Sequence, residues 1–225
     1  MKAPRATISI DGATADWKGL PADSLTMDTA GRGDLRVELR YAWDEDYFYV
    51  LLKELPGDTT QKEPGSIDQF LKEVWSYDGM SLFLDMTNRN VLEDVKDFNP
   101  WFAFTSEPSS EFYAARTYRS LNPKQERMDD SLVAAAGSFA DNSRVVEAAI
   151  AWKDIAESVE SDRLPGGGLL DSISPGYRFG CDPLLLDDGY RAQAFVSGKV
   201  QDIPAGYEKS SIDILLTARP TEGED

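Results

Sequence analysis

From position 35 the chain alternates. Leu35, Val37, Leu39, Tyr41 and Trp43 are apolar, and Arg36, Glu38 and Arg40 between them are charged. A period of two predicts a strand with one buried face. Asp44, Glu45 and Asp46 supply a polar turn, and residues 47–52 are then apolar on both faces and rich in aromatic and branched side chains. That is the pattern of a central strand covered on both sides, so the two runs predict a β-hairpin. The same signals predict strands over residues 7–10, 80–86, 101–105 and 112–118. Two further pairs, 132–140 with 144–152 and 177–186 with 190–196, flank the turn signals Asp141-Asn142 and Asp187-Asp188-Gly189, and 212–218 closes the series. Helical periodicity is scarce: residues 67–74 and 152–159 predict short helices. About ten strands punctuated by Gly, Pro, Asn and Asp predict an all-β sandwich or barrel with one or two short helices. Residues 1–219 read as one domain and 220–225 as an acidic, linker-like tail.

Charge narrows the partners. Forty acidic residues against 23 basic ones leave a net charge of -17. Such a surface repels phosphate backbones and anionic bilayers, so nucleic acid and membrane insertion are not expected. It tolerates cations and neutral ligands. There is no histidine, which excludes histidine-based triads, HExxH zinc sites and proximal haem ligation. The single cysteine, Cys181, excludes an internal disulfide and reads as a small core residue rather than an activated thiol. The first residues lack the apolar stretch of a signal peptide, and no run approaches 18 apolar residues. An excised module fits these ends.

Several features bear on chemistry. Gly166-Gly167-Gly168 lacks the Gly-Lys-Ser/Thr continuation of a phosphate loop and reads as a flexible connection. Acidic pairs at the predicted turns, such as Asp44 with Asp46, suit Asx-type turn bonding. They also suit a hard cation, with Asp11, Asp16, Asp44 and Asp46 as candidate calcium ligands. No segment has the EF-hand spacing. Trp17, Trp43 and Trp152 fall on apolar faces or element junctions and read as core. Trp75 differs, because it sits in the polar stretch Lys72-Glu73-Val74-Trp75-Ser76-Tyr77-Asp78-Gly79. It is either a flat platform for a sugar ring or a lid folded onto the core.

Four segments in order resemble family 9 carbohydrate-binding modules: Ile8-Ser9-Ile10-Asp11-Gly12 with Asp16-Trp17, the hairpin around Trp43-Asp44-Glu45-Asp46-Tyr47, residues 75–85, and Glu147-Ala148-Ala149-Ile150-Ala151-Trp152. The resemblance implies an antiparallel β-sandwich that binds sugars and carries structural calcium. It implies a ligand held between two aromatic rings, with Trp75 as the first and Phe195 where the family has a second tryptophan. Arg191, Gln193 and Tyr77 become candidate polar partners, and Ser81 stands where the family has a strand acid. The same fold also serves haem-binding redox subunits, but a chain without histidine gives no argument for haem.

The leading expectation is a non-catalytic module that binds a polysaccharide or oligosaccharide. It would hold a tethered catalytic or surface domain near its substrate, in an exported bacterial protein that is extracellular, on the cell surface or periplasmic. The alternative is a structural or protein-interaction sandwich without sugar binding. A carboxylate-based glycosidase or lyase is disfavoured, because the sandwich pattern occupies the whole chain.

Overall fold

The computed structural model describes residues 1–28, 34–55, 66–72, 77, 79–86, 101–105, 114–118, 124–127, 133–140, 143–157, 168–186, 194–195 and 212–218. Among these are thirteen strands and three short helices. The strands are β1 (Lys2–Pro4), β2 (Asp23–Asp28), β3 (Asp34–Trp43), β4 (Tyr47–Leu55), β5 (Gly79–Asp85), β6 (Trp101–Thr105), β7 (Ala114–Tyr118), β8 (Lys124–Arg127), β9 (Val133–Ala140), β10 (Ser143–Ala151), β11 (Arg178–Leu186), β12 (Ala194–Phe195) and β13 (Ile212–Thr217). The helices are α1 (Ile67–Lys72), α2 (Trp152–Glu157) and α3 (Leu169–Ser172). None of them is long and apolar enough to cross a membrane.

The strands form two sheets. One runs β1-β13-β11-β5-β6-β7-β8, with β12 also paired to β11, and the other runs β2-β3-β4-β10-β9. Every pairing is antiparallel except β1 with β13, which is parallel. The predicted all-β sandwich is therefore correct, with more strands and one more helix than the pattern suggested. Strands β1, β2 and β8 were not anticipated. Each lies at the end of a sheet order, and β8 reads Lys-Gln-Glu-Arg with no apolar alternation to detect.

Residues 7–10, expected as a strand, form no ladder. The first strand is β1, earlier in the chain. The amide of Ala6 donates to the Trp43 carbonyl at 2.9 Å, and that of Ser9 donates to Asp16 Oδ2 at 3.0 Å. The edge of β13 is already taken by β1, so this segment crosses the outer face of the five-stranded sheet and anchors there through Ile8. Trp152, expected both at the end of one strand and at the start of a short helix, opens α2, and its amide donates to the Asp46 carbonyl at 2.9 Å.

Two apolar clusters explain why the central strands are apolar on both faces. Between the sheets lie Leu39, Phe48, Val50, Leu52, Leu82, Leu84, Ile150, Trp152, Phe179, Cys181 and Leu216, among others. Phe48 stacks near Tyr41 at 5.9 Å and meets Phe179 edge-on at 5.2 Å between centroids, an arrangement aromatic pairs favour. On the outer face of the five-stranded sheet, Ile8, Trp17, Tyr49, Leu51, Val145 and Ala149 form a second cluster. That sheet is thus covered by its partner on one side and by the N-terminal segment on the other. Trp17, Trp43 and Trp152 are all buried, as expected, and so is Cys181.

Candidate functional site

The acidic turns are built as hydrogen-bond caps. Asp44 Oδ1 accepts from the amides of Asp46 and Tyr47, both at 2.9 Å, and Oδ2 accepts from the Thr7 hydroxyl at 3.0 Å and the Tyr49 hydroxyl at 2.6 Å. Burial pushes this carboxyl up, but the four donors together outweigh it and hold it below the usual carboxylate range. The phenol of Tyr49 is pushed up by its own burial and by the Asp44 carboxylate. Asp11 Oδ1 accepts from the Ala13 amide at 2.8 Å, an Asx turn, and Asp16 Oδ2 caps Ser9. Asp46 serves the fold through its backbone, at the start of α2. Among the described residues no three Asp, Glu or Cys side chains gather where they could hold a metal ion. Asp11, Asp16, Asp44 and Asp46 are therefore not brought together as one set of three or more carboxylate ligands.

Glu147 organises the N-terminal segment, a role that the hydrophobic pattern along the chain does not disclose. It is fully buried. Its Oε1 accepts from Trp17 Nε1 at 2.6 Å, and its Oε2 accepts from the amides of Gly12 at 2.8 Å and Asp11 at 3.2 Å. Burial pushes its carboxyl up, and the three donors offset only part of that. Gly12 has φ 79°, a left-handed turn conformation that suits glycine. Its carbonyl accepts from the Ser138 hydroxyl at 2.7 Å. The sequence signals Glu147 in two ways: it is a charged residue inside the apolar run Val145 to Ile150, and it heads the segment Glu147 to Trp152 that resembles family 9 modules.

Of the expected sugar-binding residues, Trp75, Arg191 and Gln193 lie outside the described residues. Phe195 lies in β12, opposite Leu184 of β11, and Leu184 is opposite Ser81 of β5. Gly79, which opens β5, is opposite Leu186, which ends β11. At about 4.8 Å per strand, the backbones of Ser81 and Phe195 stand roughly 10 Å apart across β11. Tyr77 is buried, with its ring 6.2 Å from that of Phe70 in α1.

At the other end of β11 is a cavity of about 1020 Å³. Arg5, Thr7, Asp16, Lys18, Asp44 and Glu45 provide its polar lining, and Leu20, Pro175 and Ala218 its apolar lining. Arg5 and Glu45 form an ion pair at its rim.

No protein-family model and no curated protein sequence matches the chain. Solved structures do. A family 9 carbohydrate-binding module from Caldicellulosiruptor kristjanssonii in complex with cellotriose aligns with a TM-score of 0.54 at 14% identity, covering 100% of this chain and 97% of that one. The same organism's family 9 module in complex with glucose gives a TM-score of 0.55 at 14% identity, covering 100% and 99%. A Bacteroides uniformis protein described as a candidate carbohydrate-binding protein gives 0.57 at 11% identity, covering 96% and 98%. The chain thus has, along its whole length, the fold of family 9 carbohydrate-binding modules.

Proposed function

We propose that this chain is a non-catalytic carbohydrate-binding module that binds a neutral oligosaccharide or the end of a polysaccharide chain. The observation that carries the reading is the full-length fold shared with modules solved holding cellotriose and glucose. The strand register supports it, because β5, β11 and β12 bring Gly79, four residues after Trp75, and Phe195 to one end of one sheet. Trp75 is the platform, Phe195 the opposing ring, and Arg191 and Gln193 the polar partners. The module works by proximity, keeping a tethered catalytic or surface domain of an exported bacterial protein near its glycan. The reading does not depend on calcium, and it includes no hydrolysis or lyase step.

Trp75→Ala tests it. A dissociation constant between about 1 μM and 1 mM corresponds to roughly 4–8 kcal/mol, so loss of about 1–3 kcal/mol with the ring brings binding to the edge of detection. Calorimetric titration of wild type and variant with cello-, xylo- and manno-oligosaccharides is expected to show that loss with little change in melting temperature. A variant that loses roughly 3–5 kcal/mol of stability but keeps its glycan affinity would make Trp75 a core lid instead. Overnight incubation with soluble polysaccharides is expected to release no new reducing ends.

A further inference from the structure

We propose that the cavity at the start of β11 is a second binding site, for a neutral polyhydroxylated ligand, separate from the platform at the far end of that strand. The proposal rests on the cavity's own walls and lining and not on the reading of Trp75.

The walls are fixed by hydrogen bonds that leave the lining in place. Segment 16–20 is held by Arg40, whose Nη1 donates to the carbonyls of Trp17 at 2.8 Å and Leu20 at 2.7 Å, and by the indole of Trp17 on Glu147. The opposite wall is the β3–β4 turn, locked by the four donors on Asp44. The third is the turn before β11, where the Gly176 amide donates to the Leu216 carbonyl at 2.8 Å. A volume of about 1020 Å³ is at the upper end of the range typical of small-ligand sites.

The lining selects the ligand class by elimination. Asp16, Asp44 and Glu45, under a net charge of -17, oppose an anion. Arg5 and Lys18 oppose a cation, and an apolar ligand would desolvate Arg5, Asp16, Lys18 and Glu45, the four exposed charged groups of the lining, without replacing their hydrogen bonds to water. A neutral polyol meets donors and acceptors of both kinds. Beyond Arg5, a neighbouring hollow of about 530 Å³ adds the apolar surface that the C–H face of a sugar needs. Its accessible apolar surface comes from Pro175 and from Leu170, which is 52% exposed and the one large exposed apolar side chain among the described residues, while Trp43 is buried beneath the Arg5 guanidinium at 5.9 Å. Arg178, which opens β11, and Leu184, the partner of Phe195, are six residues apart, so the cavity and Phe195 stand at least roughly 20 Å apart at about 3.3 Å per residue. One trisaccharide cannot occupy both.

The test is an amide-resolved NMR titration with neutral oligosaccharides of glucose, xylose, mannose and galactose units. Wild type, Trp75→Ala and the double variant Lys18→Ala/Glu45→Ala would be compared. Lys18 and Glu45 are exposed, so the double variant is expected to keep its fold, and its spectrum reports that directly. Saturable shifts at Thr7, Lys18, Gly19 and Ala218 are expected in wild type and unchanged in Trp75→Ala, with at least tenfold weaker saturation in the double variant. Absence of those shifts with every sugar overturns the second site, as does their loss in Trp75→Ala or their persistence in the double variant. Shifts confined to residues around Trp75 and Phe195 would leave the platform standing and remove the second site. Shifts confined to the cavity would do the reverse.

Discussion

Glu147 is the single charged side chain in a run that otherwise reads Val145, Val146, Ala148, Ala149 and Ile150, and it is fully buried. Three donors from the N-terminal segment converge on it, so Glu147→Ala would strand the Trp17 indole and two turn amides at once. Such a change is expected to cost about 3–5 kcal/mol, with Glu147→Gln costing less because one amide oxygen still accepts; urea unfolding of the three proteins reads the difference. Asp44 carries the pH dependence. Its folded pKa lies below the ordinary 3.8. The carboxylate therefore contributes stability that is fully present above that unfolded value and is lost as pH falls through the folded one. The stability gap between wild type and Asp44→Asn is expected to be widest near neutrality and to close in acid, as thermal melts from pH 7 to pH 2 would show. The turn role of these aspartates was legible, because Asp beside Gly or before a strand has a local mechanism. The role of Glu147 was not, since its donors lie more than a hundred residues away in the chain.

Between elements, β10 and β4 hold the sheet together through register as well as packing. Arg144 stands opposite Glu54, and the two side chains, both buried, form an ion pair at 2.5 Å. Removing one partner leaves a buried charge. Glu54→Ala is expected to cost about 3–5 kcal/mol, whereas replacing both residues together with leucine is expected to cost far less or nothing, which chemical denaturation of the single and double variants would decide. The β3–β4 hairpin was readable because alternation, turn and two-sided burial agree there. The pairing of β9 with β10 was equally readable, and Ala140 indeed stands opposite Ser143 across the predicted turn. Residues 7–10 misled because Ile8 and Ile10 alternate with Thr7 and Ser9 as strand residues do. Alternation reports which side chains are buried and says nothing of whether a neighbouring backbone is available to pair. Edge strand β8, all polar, lacked the signal from the other direction.

For the molecule as a whole, charge and fold make separate statements about the ligand. A net charge of -17 acts over a Debye length of roughly 30 Å at 0.01 M salt and only about 8 Å at 0.15 M. Binding of a neutral oligosaccharide is expected to change less than about twofold between those conditions, whereas an anionic polysaccharide would bind, if at all, only as salt rises; titrations at the two ionic strengths separate the cases. The sandwich was legible from the period of two along the chain. The cavity beside Asp16 and Lys18 was not, because it is assembled from the N-terminal segment, the β3–β4 turn and the approach to β11, which the sequence keeps far apart. The parallel pairing of β1 with β13 has a mechanical consequence. Lys2 lies beside Leu215 and Pro4 beside Thr217, with the Arg5 amide on the Thr217 carbonyl and the Leu215 amide on the Met1 carbonyl, both at 3.0 Å. Tension that draws Lys2 backward and Thr217 forward slides these strands along each other, so every bond in the ladder is loaded together and none can peel first. Force applied in that sense across this pair would be met in shear, the direction in which a short ladder resists best.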